Sequence, residues 1–207
     1  MTRTQAQRTE ATTAQLVEAA RRLFAADGYE ATSLDDVVAE AGVTKGALYH
    51  HFGSKRDLFR AVYEDRERTL ARACQEAYAA EADPWEGFHA GCRAFLEATL
   101  DPGVQRICLL DAPAVLGWET VRELDAQYSL AMIENGLRQA IDSGRIAPRP
   151  AGPLAHMLMG ALGEGAMMVA RAEDQRGAMK EVAREIESLL AALGSPQAVG
   201  SPAAESG

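Results

Sequence analysis

Apolar residues return every three or four positions along this chain, and nowhere do they alternate in a run bounded by hairpin turns, so the pattern predicts an all-α protein. Leu16, Ala19, Ala20, Leu23 and Phe24 share one face of a first helix. Thr12 with Gln15 suits a capping box at its start, and Asp27-Gly28 suits its end. Ser33 with Asp36 reads as the next N-cap, followed by Leu34, Val37, Val38 and Ala41, and Gly42 closes that helix after two turns. Thr44 caps a third helix, with Val43 and Leu48 placed as a hydrophobic staple. Ser54 with Asp57 opens a fourth, carrying Phe59, Val62 and Tyr63. Further helices are predicted over about 84–99, 103–111, 117–142, 152–172 and 175–193, punctuated by Pro84, Pro102, Pro113 and the group Pro148, Pro150 and Pro153. The last residues, 194–207, are rich in Gly, Ser, Pro and Ala and are expected to form an unstructured tail.

The short third helix has an unusual outer face. At 100° per residue, Leu48 and Phe52 lie about 40° apart and turn inward. Gly46 and His50 sit nearly opposite them, flanked by Ala47 and Tyr49, with Lys45 at the helix start. Small residues allow close approach to a surface, and Lys45, Tyr49 and His50 place hydrogen-bond donors around that gap. A two-turn helix, a glycine turn and such a helix form the helix-turn-helix pattern, whose second helix enters the DNA major groove. Lys55 and Arg56, in the first turn of the fourth helix, suit a backbone phosphate.

Charge sharpens this picture. The chain of 207 residues carries a formal net charge of −9, yet residues 1–60 hold eight basic and eight acidic residues. The whole surplus of acid lies beyond them, which suggests a neutral DNA-facing module and an acidic body. The run Glu-Asp-Arg-Glu-Arg at 64–68 reads as a solvated patch, or as a neck where the fourth helix crosses between modules. The expected division is 1–56 for DNA binding (motif about 33–52), 57–193 for the second module, then the tail.

Residues 23–59, "LFAADGYEATSLDDVVAEAGVTKGALYHHFGSKRDLF", resemble the DNA-binding domain of the tetracycline-repressor (TetR) family of bacterial regulators. The matching features are Leu23-Phe24, Gly28-Tyr29, Thr32-Ser33, Ala41-Gly42-Val43, Leu48-Tyr49-x-x-Phe52 and Lys55. Val38 departs from the alanine most common there. The resemblance implies an N-terminal helix-turn-helix domain, a C-terminal helical bundle that binds a ligand and dimerises, and a repressor released from a palindromic operator. It implies phosphate contacts from Thr32 or Ser33, Tyr49 and Lys55, and base-edge positions for Lys45, Gly46 and His50; Thr44 and Ala47 complete the DNA-facing set. It also places the dimer interface on the last two helices, over 153–171 and 175–193, with Leu158, Gly160, Leu162, Gly163, Val182, Ile186 and Leu189 as its candidates. Residues 106–130 resemble a segment of one C-terminal subtype.

In the second module Trp85, Phe88, Phe95, Trp118, Tyr128, Met132 and Met159 are candidates for lining a ligand cavity, with plain core the alternative for each. His156 and Glu164 interrupt the most apolar helix, where an ionisable group needs a partner: each other, a ligand or a second subunit. His89-x-x-Cys92 puts two metal-capable groups on one helix face, but two ligands are half a site, and a pocket or core pair is the expected role. Cys108 has apolar neighbours and reads as inert. No metal or cofactor is expected. The three separated cysteines fit a reducing compartment. With no apolar leader at the N-terminus and no membrane-length run, the cytoplasm is the expected location. The sequence has no G-x-S-x-G, H-E-x-x-H, P-loop or G-x-G-x-x-G, so an enzyme, built from scattered His89, His156 and Glu164, is the lesser alternative. An interaction adaptor without DNA binding is another.

Overall fold

A computed structural model describes residues 5–194, and among these the chain is helical throughout, without a strand. The elements are α1 (Gln5–Ala31), α2 (Leu34–Ala41), α3 (Lys45–His51), α4 (Lys55–Ala79), α5 (Pro84–Ala98), α6 (Pro102–Val104), a π-helical stretch (Gln105–Asp111), α7 (Ala112–Leu116), α8 (Trp118–Gln127), α9 (Ser129–Asp142), α10 (Ala151–Arg171) and α11 (Gln175–Gly194). Of the expected tail 194–207, Gly194 ends α11 and the remainder lies outside the described residues.

Local chemistry sets most of the boundaries. Ser33 and Asp36 form a reciprocal capping box on α2, and Gly42 closes it in the left-handed region at φ 65°. Thr44 accepts the Ala47 N–H at the start of α3, and Ser54 accepts that of Asp57 at the start of α4. Asp83 caps α5, with Pro84 in its first turn. The capping box expected at Thr12 does not form, because α1 starts earlier, at Gln5; Thr13 sits inside it, its hydroxyl donating to the Thr9 carbonyl. Gly28 interrupts α1 at φ 82°, and a Cβ there would collide with the Arg106 guanidinium.

Two predicted helices differ from the sequence reading. The expected helix at 117–142 breaks at Tyr128 (φ −120°, ψ −89°) into α8 and α9, with neither proline nor glycine at the break. The break lets Asp125 and Ser129 both face α4. There Tyr63 Oη donates to Asp125 Oδ1 at 2.9 Å, and Ser129 Oγ donates to Glu67 Oε2 at 3.0 Å. The expected helix at 103–111 becomes one turn of α6 and then the π-helical stretch. There the Ala112 N–H reaches back five residues to the Ile107 carbonyl, just before Pro113, which has no N–H to give.

The apolar residues gather into two cores. The first joins Leu16, Phe24, Val37, Leu48, Phe52, Phe59 and Val62 of the N-terminal helices. Phe59 is its hub, edge-on to Phe24 at 5.1 Å and to Tyr29 at 5.2 Å. Ile107, Leu116 and Leu124 complete this core, so the helix-turn-helix head packs on the middle of the chain as well as on itself. The expected boundary at 56/57 falls in the first turn of α4. The second core joins α5, α9, α10 and α11 through Phe88, Leu96, Ile133, Leu137, Leu162, Val182, Ile186 and Leu190. α4 runs unbroken for 25 residues and contributes to the first core at one end while packing on α5 at the other.

Candidate functional site

The turn at Gly42 and the cap at Thr44 present α3 with Leu48 fully buried and the opposite side in solvent. Ser33, Thr44, Lys45, Gly46, Tyr49 and His50 are exposed, Tyr49 at 51%, and Ala47 is half-buried. A side chain at Gly46 would come no nearer than 4.0 Å to its surroundings, so the backbone there is bare. Thr32 is a correction: it is 3% exposed and its hydroxyl donates to the Gly28 carbonyl at 2.9 Å, so of the pair only Ser33 faces outward.

The basic residues around α3 are held in place. Lys45 pairs with Asp35 at 2.7 Å, both exposed, a contact weak enough to exchange for a phosphate or base. Lys55 lies over the Tyr29 ring at 4.3 Å and donates to the Glu30 carbonyl at 3.3 Å, which keeps its ammonium beside the end of α1. Arg56 is a second correction. Its guanidinium donates to the Val115 and Leu116 carbonyls at 3.0 and 2.8 Å, closing the C-terminus of α7 instead of reaching for phosphate. Beside it, the Tyr29 N–H donates to Asp111 Oδ2 at 2.8 Å, and Arg106 pairs with the same carboxylate at 3.3 Å. These contacts tie the head to the π-helical stretch and α7.

Between head and body lies a buried acidic pair. The charged run 64–68 is not wholly solvated, because Glu67 is 5% exposed and faces Asp125, 9% exposed. Burial, reinforced by the negative charge of Asp125, pushes the Glu67 carboxyl up to about 7, while the Ser129 hydrogen bond works the other way. Burial also raises Asp125, against the Tyr63 hydrogen bond, and burial raises the Tyr63 hydroxyl well above the usual phenol range.

The body holds a cavity of about 280 Å³ between α4, α5, α9 and α10. α4 supplies Ala71, Cys74, Gln75 and Tyr78; α5 supplies Phe88, Gly91, Cys92 and Phe95. Ser129, Met132, Ile133, Asn135, Gly136 and Gln139 of α9 and Leu162 of α10 complete it. Of the residues named as cavity candidates, Phe88, Cys92, Phe95 and Met132 line this space. Trp85 stacks on Phe88 at 5.5 Å and borders a second concavity, about 440 Å³, with Asp83, Ser143 and Arg145. His89 turns toward α11, its Nδ1 2.6 Å from Glu187, which also takes Arg93 at 2.6 Å. His89 and Cys92 therefore serve different neighbours. Met159 packs on the second core, and Tyr128 stands at the α8–α9 break outside the cavity wall. Trp118 is a correction: it is 66% exposed, with Arg122 over its ring at 4.8 Å. His156 and Glu164 are corrections as well, since both lie on the exposed side of α10, away from the cavity.

The residues of α4 that line the cavity were not singled out from sequence. The signal was present in Ala71, Cys74, Gln75 and Tyr78, which recur at helical spacing on one face. The dimer candidates divide. Leu158, Leu162, Val182 and Ile186 belong to the chain's own core, whereas Gly160, Gly163 and Leu189 lie at the outer surface of α10 and α11 with Met157 and Met168.

A bare, two-helix reading head on a helical body with an internal cavity defines a helix-turn-helix DNA-binding protein. Comparison with known proteins gives the family. Residues 16–62 match the model described as bacterial regulatory proteins, tetR family, and residues 85–193 match the tetracyclin repressor-like C-terminal domain. A TetR-family transcriptional regulator from Pectobacterium atrosepticum, 37% identical, superposes with a TM-score of 0.79, covering 92% of this chain and 97% of that one. The transposon Tn10 TetC protein of Escherichia coli is 26% identical over 145 residues, 70% of this chain and 73% of that protein. The HTH-type transcriptional regulator TtgR of Pseudomonas putida is 36% identical over 116 residues, about half of each chain. The chain belongs to the TetR family of transcriptional regulators, which are not enzymes. Among the described residues no helix is long and apolar enough to cross a membrane.

Proposed function

We propose that this chain is a repressor that binds a palindromic operator as a homodimer and releases it when a small apolar molecule enters the cavity. The observation that carries the reading is α4. Its first turn holds Lys55 beside the reading head, and Ala71, Cys74, Gln75 and Tyr78 on the same unbroken helix line the cavity. A ligand that displaces the far end of α4 shifts the head, and with it the spacing of two recognition helices in a dimer. Release requires the ligand to bind the DNA-incompetent spacing more tightly, with a typical coupling of about 1–3 kcal/mol. Operator DNA then weakens ligand binding by the same factor.

Two-fold symmetry requires half-sites about 34 Å apart, one helical turn, or a multiple of that distance. Selection of bound fragments from a random duplex library is expected to return an inverted repeat; selected sites without one would sink the dimeric-operator reading. Within each half-site, Ser33, Tyr49 and Lys55 are assigned to phosphates, and Lys45, Gly46 and His50 to base edges. Lys55→Ala is expected to weaken all sequences alike and lower the salt slope by about one. His50→Ala is expected to relax preference at one base position per half-site, at a cost of about 1–3 kcal/mol. Anisotropy titrations on the selected site and its single-base variants separate the two; the same uniform loss for both variants would refute the division.

A further inference from the structure

We infer that the cavity selects an uncharged aromatic molecule bearing a hydrogen-bond donor, the simplest being a phenol, and that Ser129 is the residue that reads the donor. This rests on the cavity being the effector site.

The walls exclude ions. No Asp, Glu, Lys, Arg or His is among the lining residues, so an ion inside would give up water without a counter-charge. Behind the wall at Ser129 lies Glu67, whose Oε2 is occupied by Ser129 and which does not itself border the cavity. Its negative charge opposes an anion, and a cation would still have to give up its water to walls that hold no carboxylate. Cys74 and Cys92 add no charge either, since burial pushes their thiols up to about 11 and about 12.

The walls also favour a flat apolar ring. Phe88 and Phe95 stand on one face of α5, opposite Met132 of α9. Gly136 leaves room for the Phe88 ring to press against α9, since a Cβ there would lie 2.4 Å from that ring. The volume of about 280 Å³ sits near the lower end of the roughly 300–1,000 Å³ usual for ligand pockets, so a small one- or two-ring molecule suits it.

The polar groups are unequal. Gln75, Asn135 and Gln139 are exposed at the mouth, and the Tyr78 hydroxyl joins them in an exposed hydrogen bond, donating to Gln139 Oε1 at 2.9 Å, so water competes with any ligand there. Ser129 is 7% exposed and borders the interior. Its single proton goes to Glu67 Oε2, so toward the cavity its oxygen only accepts. A phenol hydroxyl satisfies that acceptor, and an ether does not. The same contact links the ligand through Glu67 to α4.

The test is calorimetric titration of the full chain at pH 8, where Glu67 is ionised and a phenol is still neutral. The probes are β-naphthol, β-methoxynaphthalene, β-naphthoate and naphthylmethylamine. β-Naphthol is expected to bind roughly tenfold more tightly than the ether. The naphthoate and the ammonium form of the amine are expected to bind roughly a hundredfold more weakly than β-naphthol, or worse. Ser129→Ala is expected to collapse the naphthol-to-ether ratio to about one, and Ser129→Thr to keep it. Ion binding equal to that of the naphthol, no naphthol binding, or an unchanged ratio in Ser129→Ala would each overturn the inference. Operator occupancy is measured separately. Naphthol that binds as expected without displacing operator leaves the ligand class standing and removes the effector reading. An ionic probe that both binds best and displaces operator does the reverse.

Discussion

Gly163→Arg is expected to yield a folded monomer that holds the operator about a thousandfold more weakly than the parent chain. The substitution does not threaten the fold, because a Cβ at Gly163 or Gly160 meets nothing within 4 Å. Exchanging glycine inside a helix for a better helix former adds up to about 1 kcal/mol of intrinsic helix stability. The damage falls on association. The outer face of α10 and α11 exposes Met157 at 66%, Met168 at 57% and Leu189 at 52% around the two glycines. In the proposed dimer this apolar face is the contact, where the glycines would let a second α10 approach closely. A bulky guanidinium in that seam would hold the two helices apart and lose its water on burial. With one reading head in place of two, only one half-site is engaged, and affinity falls toward non-specific binding. Sedimentation velocity and operator anisotropy on the same preparation check this, with Gly160→Arg as a second probe of the face. A Gly163→Arg chain that sediments as a dimer would show that this face is not the interface.

The second large effect is on stability. Glu67→Gln is expected to stabilise the protein at pH 8 by about 3 kcal/mol relative to its effect at pH 5. The sign follows from the direction of the shift. Folding raises the Glu67 carboxyl from 4.5 to about 7, so between those pH values the folded chain binds more protons than the unfolded one. Stability contributed by Glu67 is therefore fully present below pH 4.5 and lost as pH rises to about 7. Each pKa unit is about 1.4 kcal/mol, which gives the magnitude. Asp125, also raised by burial, tilts the wild-type profile the same way but remains in the variant. The substituted amide retains an acceptor for Ser129 and carries no charge to desolvate. Denaturant melts across pH 5 to 8 measure the difference; parallel stability profiles for the two proteins would mean that Glu67 is not a buried, electrostatically strained group.

Much of the reading head was legible from sequence because its signals are local. Ser33-x-x-Asp36, Gly42, Thr44 and Ser54-x-x-Asp57 act within four residues of themselves, and the structure realises each as a cap or a left-handed turn. The faces of α3 follow from its period alone, so Leu48 inward and Tyr49 and His50 outward needed no tertiary information. Local signals do not reach an outcome that depends on a partner distant in sequence. Arg56 has the position of a phosphate ligand, yet carbonyls 59 and 60 residues away claim it. Thr32 and Ser33 are equivalent as neighbours, and only the kink at Gly28 takes the Thr32 hydroxyl inward.

By itself, then, the sequence determined the all-helical architecture, the helix-turn-helix and its outward face, and the kinship with the TetR regulators, because periodicity, capping and motif order are encoded at short range. The tertiary structure alone decided which apolar positions of α10 and α11 the core consumes and which it leaves outside. On α10 the apolar period is nearly continuous, so hydrophobicity did not tell Leu158 and Leu162, consumed by the core, from Gly160 and Gly163, left at the surface. The cavity is also a tertiary product: α4, α5, α9 and α10 enclose it only once the break at Tyr128 has redirected α9. That break has no proline or glycine to announce it. It exists because Asp125 and Ser129 find Tyr63 and Glu67 across 62 residues of chain, and those polar groups tolerate burial only in pairs.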